Sequence, residues 1–149
     1  MKKFIILAIA FILSFLTVAV LANTYPIIIS SVVTKDMSGN PTSEFSRGDV
    51  VVIETTLEAN PSYYFVNPIN YLEIIETLYS ARVMGLLMTR DTISSGETKT
   101  FGGGMLIRDN DPTGTYTVKV FVWNGFPSEM GANWKDLADP KTTTFEVKP

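Results

Sequence analysis

The residue types and spacings able to do chemistry begin with Asp109 and Asp111, two apart in the segment RDNDPTG from Arg108 to Gly114. Loop carboxylates can offer oxygens to calcium, an ion that takes about six to eight oxygen ligands and accepts loop geometry. The same residues also spell a type I turn, with Asp111, Pro112 and Gly114 at its first, second and fourth positions. With only two acids and no EF-hand spacing, the turn reading precedes the metal reading, and calcium stands as the one cofactor the sequence leaves open. Asp36, Asn40 and Glu44 form a second oxygen-rich loop of the same undetermined kind.

Three glycines, Gly102 to Gly104, invite comparison with a phosphate loop, but no Lys-Ser/Thr follows and the flanks read as strand. Glycine inside a strand marks a bulge or the close approach of another backbone. A pair of carboxylates can hydrolyse a glycoside, yet fifteen acids with no motif around any pair single out no site. The chain has no cysteine and no histidine. That excludes Cys and Ser-His nucleophiles, thiolate or imidazole zinc sites and haem attachment through CxxCH. The expectation is a protein that is not an enzyme.

Aromatic side chains are the other candidates. Phe121 and Trp123 fall on the outward side of an alternating segment whose other side carries Val120 and Val122. Bare, they would form an interface or a sugar-stacking platform. The excursion from Gly125 to Pro140 is expected to fold back over them with Phe126, Trp134 and Leu137, since large apolar patches are rarely left open.

Lys2 and Lys3 precede an uncharged apolar run from Phe4 to Ala22 that ends Val20-Leu21-Ala22. This is the layout of a secretory signal peptide, residues 1–22, although the run is also long enough to remain as a membrane anchor. A secreted or cell-surface location follows, with membrane contact only through an uncleaved leader. Without the leader, ten of the twelve Lys and Arg face fifteen Asp and Glu. A mildly acidic domain with scattered basic residues has no stripe for a phosphate backbone, so nucleic acid is not an expected partner. Residues 23–149 suit one domain, held together by packing without disulfides.

Gly48–Ala59 and Gly114–Asn124 alternate cleanly between an apolar and a polar side, the signature of half-buried strands. Weaker strand readings cover 25–34, 71–79, 86–89, 98–107 and 142–148. Between Ile69 and Met88 the positions Leu72, Ile75, Tyr79 and Val83 also fit a helical stripe; strand is preferred. About seven strands separated by turn residues imply an all-β sandwich.

The segments DPTGTYTVKVFVWN and NWKDLADPKTTTFEV resemble the closing half of immunoglobulin-like modules in bacterial and archaeal cell-surface proteins. FSRGDVVVIETTLEAN resembles their second strand. The likeness implies an immunoglobulin-like sandwich, with Tyr116 at the position of a tyrosine corner and Val118 where antibody domains carry a cysteine.

From Tyr25 to Val33 both alternating rows are apolar: Pro26, Ile28 and Val32 on one side, Ile27, Ile29 and Val33 on the other. A strand with one wet face should not read so. Either it is covered on both sides within its own domain, or it completes a neighbouring copy by strand addition, as in donor-strand filaments. The function expected is therefore a structural subunit that associates with copies of itself in a surface filament, sheath or matrix. The alternative is a non-catalytic module binding a polysaccharide or a cell-surface protein through Phe121 and Trp123.

Overall fold

The computed structural model describes residues 25–63, 65–77 and 82–149, with side chains described outside 64–81. The leader expected at residues 1–22 lies outside the described residues, as does Tyr79.

Among the described residues eight strands form two sheets: β1 (Ile27–Lys35), β2 (Glu44–Ser46), β3 (Val50–Ala59), β4 (Phe65–Thr77), β5 (Val83–Ser94), β6 (Thr98–Leu106), β7 (Gly114–Trp123) and β8 (Lys141–Lys148). A three-stranded sheet runs β1-β3-β6 and a five-stranded sheet β2-β8-β7-β4-β5. The chain crosses between the sheets of a β-sandwich, with β5 on the sheet of β4 and β7. One short helix, α1 (Pro127–Met130), and a 3-10 turn at Gly131–Asn133 interrupt the path from β7 to β8.

The alternation seen in the sequence becomes the core. Val51, Ile53, Thr55, Leu57 and Ala59 of β3 are buried, as are Tyr116, Val118, Val120 and Val122 of β7, and the two rows face each other with Phe145 and Val147 of β8. Each such aliphatic side chain, withdrawn from water, stabilises by about 1.5–3 kcal/mol. The stretch from Ile69 to Met88 that also fitted a helix contains the paired ends of β4 and β5. Pro68 falls in the irregularity between Val66 and Ile69, where a missing N–H costs the ladder least.

Three features depart from the expectation. β2 is a strand where the sequence predicts a loop; Phe45 carries it, buried and edge-on to Phe145 at 5.4 Å between ring centroids. The turn after β6 closes at Arg108–Asp111, not Asp111–Gly114: Asp111 N–H donates to the Arg108 carbonyl at 3.0 Å, and the Asp111 carboxylate accepts the Arg108 N–H at 2.8 Å. Pro112 is thereby freed for another task, since its carbonyl accepts the Tyr116 hydroxyl at 2.7 Å. That hydroxyl anchors a ring 1% exposed and stacked on Phe145 at 5.1 Å, which is the geometry of a tyrosine corner.

The third concerns β1. Its register to β3 shifts between Ile29 and Ser31, leaving Ser30 in a bulge whose hydroxyl donates to the Thr56 carbonyl. A bulge adds one residue and so switches the parity of the strand. Ile27 and Ile29 before it, and Val32 and Thr34 after it, therefore pair with Ala59, Leu57, Thr55 and Ile53 on the single inner face. Ile28, on the other side, is 37% exposed. The strand is apolar in both alternating rows because its phase changes midway, and it lies in its own domain.

Candidate interaction surface

A sheet edge presents unpaired N–H and C=O groups unless something blunts it. The described strands leave four edges. β2 is three residues long. β1 is occupied along its length: Ile27 N–H donates to the Leu137 carbonyl at 2.9 Å, Lys141 Nζ donates to the carbonyls of Ile29 and Ser30 at 3.2 and 2.6 Å, and Thr42 N–H donates to the Thr34 carbonyl at 3.0 Å. β5 and β6 are the long remaining edges, and they adjoin on one side of the sandwich.

That side is apolar. A register shift between Ile75 and Glu76 of β4 places Val83 in the same outward row of β5 as Leu86, Met88 and Arg90. Val83, Leu86 and Met88 are 49%, 54% and 60% exposed, and Leu106 at the end of β6 is 55% exposed. Between the strands lies a groove of about 360 Å³, with Arg82, Arg108 and Asp111 at its rim.

The glycine triplet explains how β5 reaches β6. Its register to β3 is unbroken, Gly102, Gly103 and Gly104 standing opposite Glu54, Ile53 and Val52, so there is no bulge. A Cβ on Gly103 would lie 2.9 Å from Leu87 Cδ1. The missing side chain admits Leu87 of β5, a close approach by a side chain and not by a backbone.

The aromatic residues lie together beside the excursion after β7. Phe121 and Trp123 lie 5.9 Å apart, Trp134 stands edge-on to Trp123 at 5.4 Å, and Phe126 lies under the Arg90 guanidinium at 5.4 Å. Arg90 is held there by an ion pair with Glu129 of α1. Leu137 is buried and its N–H donates to the Val122 carbonyl at 2.8 Å. The four aromatic rings are half-buried, and the indole N–H groups of Trp123 and Trp134 are covered with no acceptor among the described residues.

Of the two proposed calcium ligands, Asp111 is engaged in its turn, its carboxylate accepting the Arg108 N–H. No group of three or more acids able to hold a metal occurs among the described residues. In the second loop Asp36 Oδ1 accepts the N–H groups of Ser38 and Asn40, and Oδ2 accepts Asn40 Nδ2. These donors, Asn40 first, hold its carboxyl below the usual aspartate range. Glu44 and Asp49 line the same hollow, but Glu44 pairs with Lys148 and Asp49 accepts the Ser46 N–H.

Sequence reading missed the β5 row, although VMGLLM, residues 83–88, carries its own signal: apolar residues in both alternating positions, the criterion that singled out β1.

No protein-family pattern matches the chain, and no curated protein matches it in sequence. Solved structures do match in shape. The C-terminal domain of Wzt superposes with a TM-score of 0.68 at 12% identity, covering 85% of this chain and 76% of that one. The alkylpurine DNA glycosylase AlkC of Pseudomonas fluorescens gives 0.59 at 15% identity, with 84% and 31% covered. A β-glucosidase of Listeria innocua gives 0.53 at 13%, with 86% and 16% covered. The chain thus spans under a third of the glycosylase and a sixth of the glucosidase. At these identities the likeness shows the β-sandwich fold. Among the described residues no helix is long and apolar enough to cross a membrane.

Proposed function

We propose that this chain is an exported, non-catalytic structural module that docks into a surface assembly through the β5–β6 side of its sandwich. The observation that supports it is the row Val83, Leu86 and Met88, open to solvent on β5, a strand twelve residues long whose outer side pairs with no other strand among the described residues. Among the described residues, every other long edge is either blocked or, like β6, part of the same side. The leader-like segment 1–22 supports export. The N-terminal strand, Tyr25 to Val33, is not the docking element in this reading, because Ile27 and Ile29 fill their own core.

The test is the double variant Leu86→Lys/Met88→Lys, expressed in the source organism. Both side chains are more than half exposed, so the melting temperature should stay within about 2 °C of the parent, as expected of surface substitutions. Release of the folded variant from the envelope fraction is expected. Unchanged partition between envelope and medium would refute the docking reading.

A second reading, polysaccharide binding at the aromatic cluster, is favoured by the half-buried rings of Phe121, Trp123 and Trp134, which lie together in one cluster. A change of tryptophan emission on titration with envelope polysaccharide, absent in Trp123→Phe, would support it.

A further inference from the structure

The docking reading leaves the partner open. Resting on that reading, we propose that the partner is a second copy of this chain, its β5 pairing antiparallel with β5 of the first about a two-fold axis at Leu87, so that two five-stranded sheets continue as one.

Residues directly opposite in an antiparallel pair project from the same face of the sheet. The outward row of β5 holds Leu86, Met88 and Arg90, and Leu87 packs inward against the core. A symmetric pairing that keeps faces together must centre on a residue and not between two. Three centres bring the apolar middle of the strand together. An axis at Leu86 sets Arg82 opposite the other copy's Arg90, and like charges placed opposite are destabilising. An axis at Met88 sets Leu86 opposite Arg90, drawing an arginine already engaged by Glu129 and Phe126 into the joint. An axis at Leu87 sets Leu86 opposite Met88 twice, Gly85 opposite Thr89 twice, and Leu87 opposite itself. Each Arg90 then faces the irregular end of the other strand near Val83 and Met84, away from its twin. The charge pattern selects Leu87.

A two-fold axis perpendicular to the sheets also turns the two β6 edges toward each other, so Leu106 of each copy joins the contact. The side wall is two sheets thick, about 20 Å with side chains, and eight residues of strand run about 26 Å. Roughly 500 Å² is covered on each copy and about 1,000 Å² in all, the threshold for a specific interface. Nothing in the strand opposes it: between Val83 and Thr89 there is no Lys, Asp, Glu or Pro, the residues with which natural edges are guarded.

The experiment uses the purified chain. Sedimentation velocity from 1 to 200 µM should show a monomer–dimer equilibrium, shifted at least tenfold toward monomer by Leu86→Lys. The chain has no cysteine, so register can be read by oxidation: a mixture of Leu86→Cys and Met88→Cys chains should form a disulfide-linked heterodimer, and neither variant alone should do so to the same extent. A monomer throughout the range overturns the inference, and so does a dimer in which the mixture cross-links no better than each variant alone. A monomer whose Leu86→Lys/Met88→Lys form is nevertheless released from the envelope would leave the docking reading standing with a different partner; a monomer retained regardless of those lysines would end both.

Discussion

Tyr116→Phe isolates one hydrogen bond. The ring, stacked on Phe145, is unchanged; only the hydroxyl that donates to the Pro112 carbonyl at 2.7 Å is lost. A buried acceptor left without its donor costs about 1–2 kcal/mol. For a domain of roughly 125 residues, an unfolding entropy of about 2.1 cal/mol/K per residue converts this into a fall of about 4–8 °C in melting temperature. Thermal unfolding followed by circular dichroism at pH 7 would measure it. The pH dependence supplies a second readout. Burial, and then the charge of Asp111, push the Tyr116 phenol above its ordinary value near 10. A group whose folded pKa is raised contributes stability that is full below the unfolded pKa and is lost as pH rises through the folded one. The parent should therefore lose stability above about pH 10 faster than Tyr116→Phe, so that the two melting curves converge. A variant that melts within 1 °C of the parent at pH 7 and tracks it to pH 11 would refute the corner as a stabilising device.

Gly103→Val should destabilise by about 1–3 kcal/mol through overpacking against Leu87, with partial recovery in Gly103→Val/Leu87→Ala, while Gly102→Ala, whose added Cβ meets nothing closer than 3.9 Å, should melt like the parent. Lys141→Met removes the ammonium from the carbonyls of Ile29 and Ser30; a loss of about 1 kcal/mol, discounted for exposure, and new concentration-dependent turbidity would show that the lysine guards the β1 edge. Because hydrogen bonds from Asn40 and Ser38 depress the Asp36 pKa, its contribution is present above the unfolded value near 4 and is lost as pH falls through the lower folded value. Asn40→Ala should raise that pKa in a carboxyl NMR titration; an unmoved titration would contradict the assignment of cause.

Legibility followed the regularity of alternation. β3 and β7 could be read almost to the residue, because each has one wet face and an unbroken period of two. β2 could not, since three residues with one buried Phe45 carry no period and their pairing with β8 is a parallel contact set by the rest of the fold. The turn at Arg108–Asp111 was displaced because RDNDPTG contains two overlapping turn signals, and the tyrosine corner, a contact between β7 and its own loop, decides between them. The interaction side was the least legible. Val83 and Leu86 share a row only because a bulge shifts the β4–β5 register, and the edge position of β5 is a property of the sheet order, which no local pattern encodes.

The bulge at Ser30 works as a frame shift in a code of period two. Without Ser30, the sequence Ile27 to Thr34 would alternate correctly from end to end, with Ile27, Ile29, Val32 and Thr34 still inward. A single-residue deletion at this point should therefore preserve the core, whereas deletion of Val33, three positions on, would turn Thr34 outward and bring Lys35 toward the interior. Along one nine-residue strand, tolerance to loss of a codon is thus concentrated at a single place.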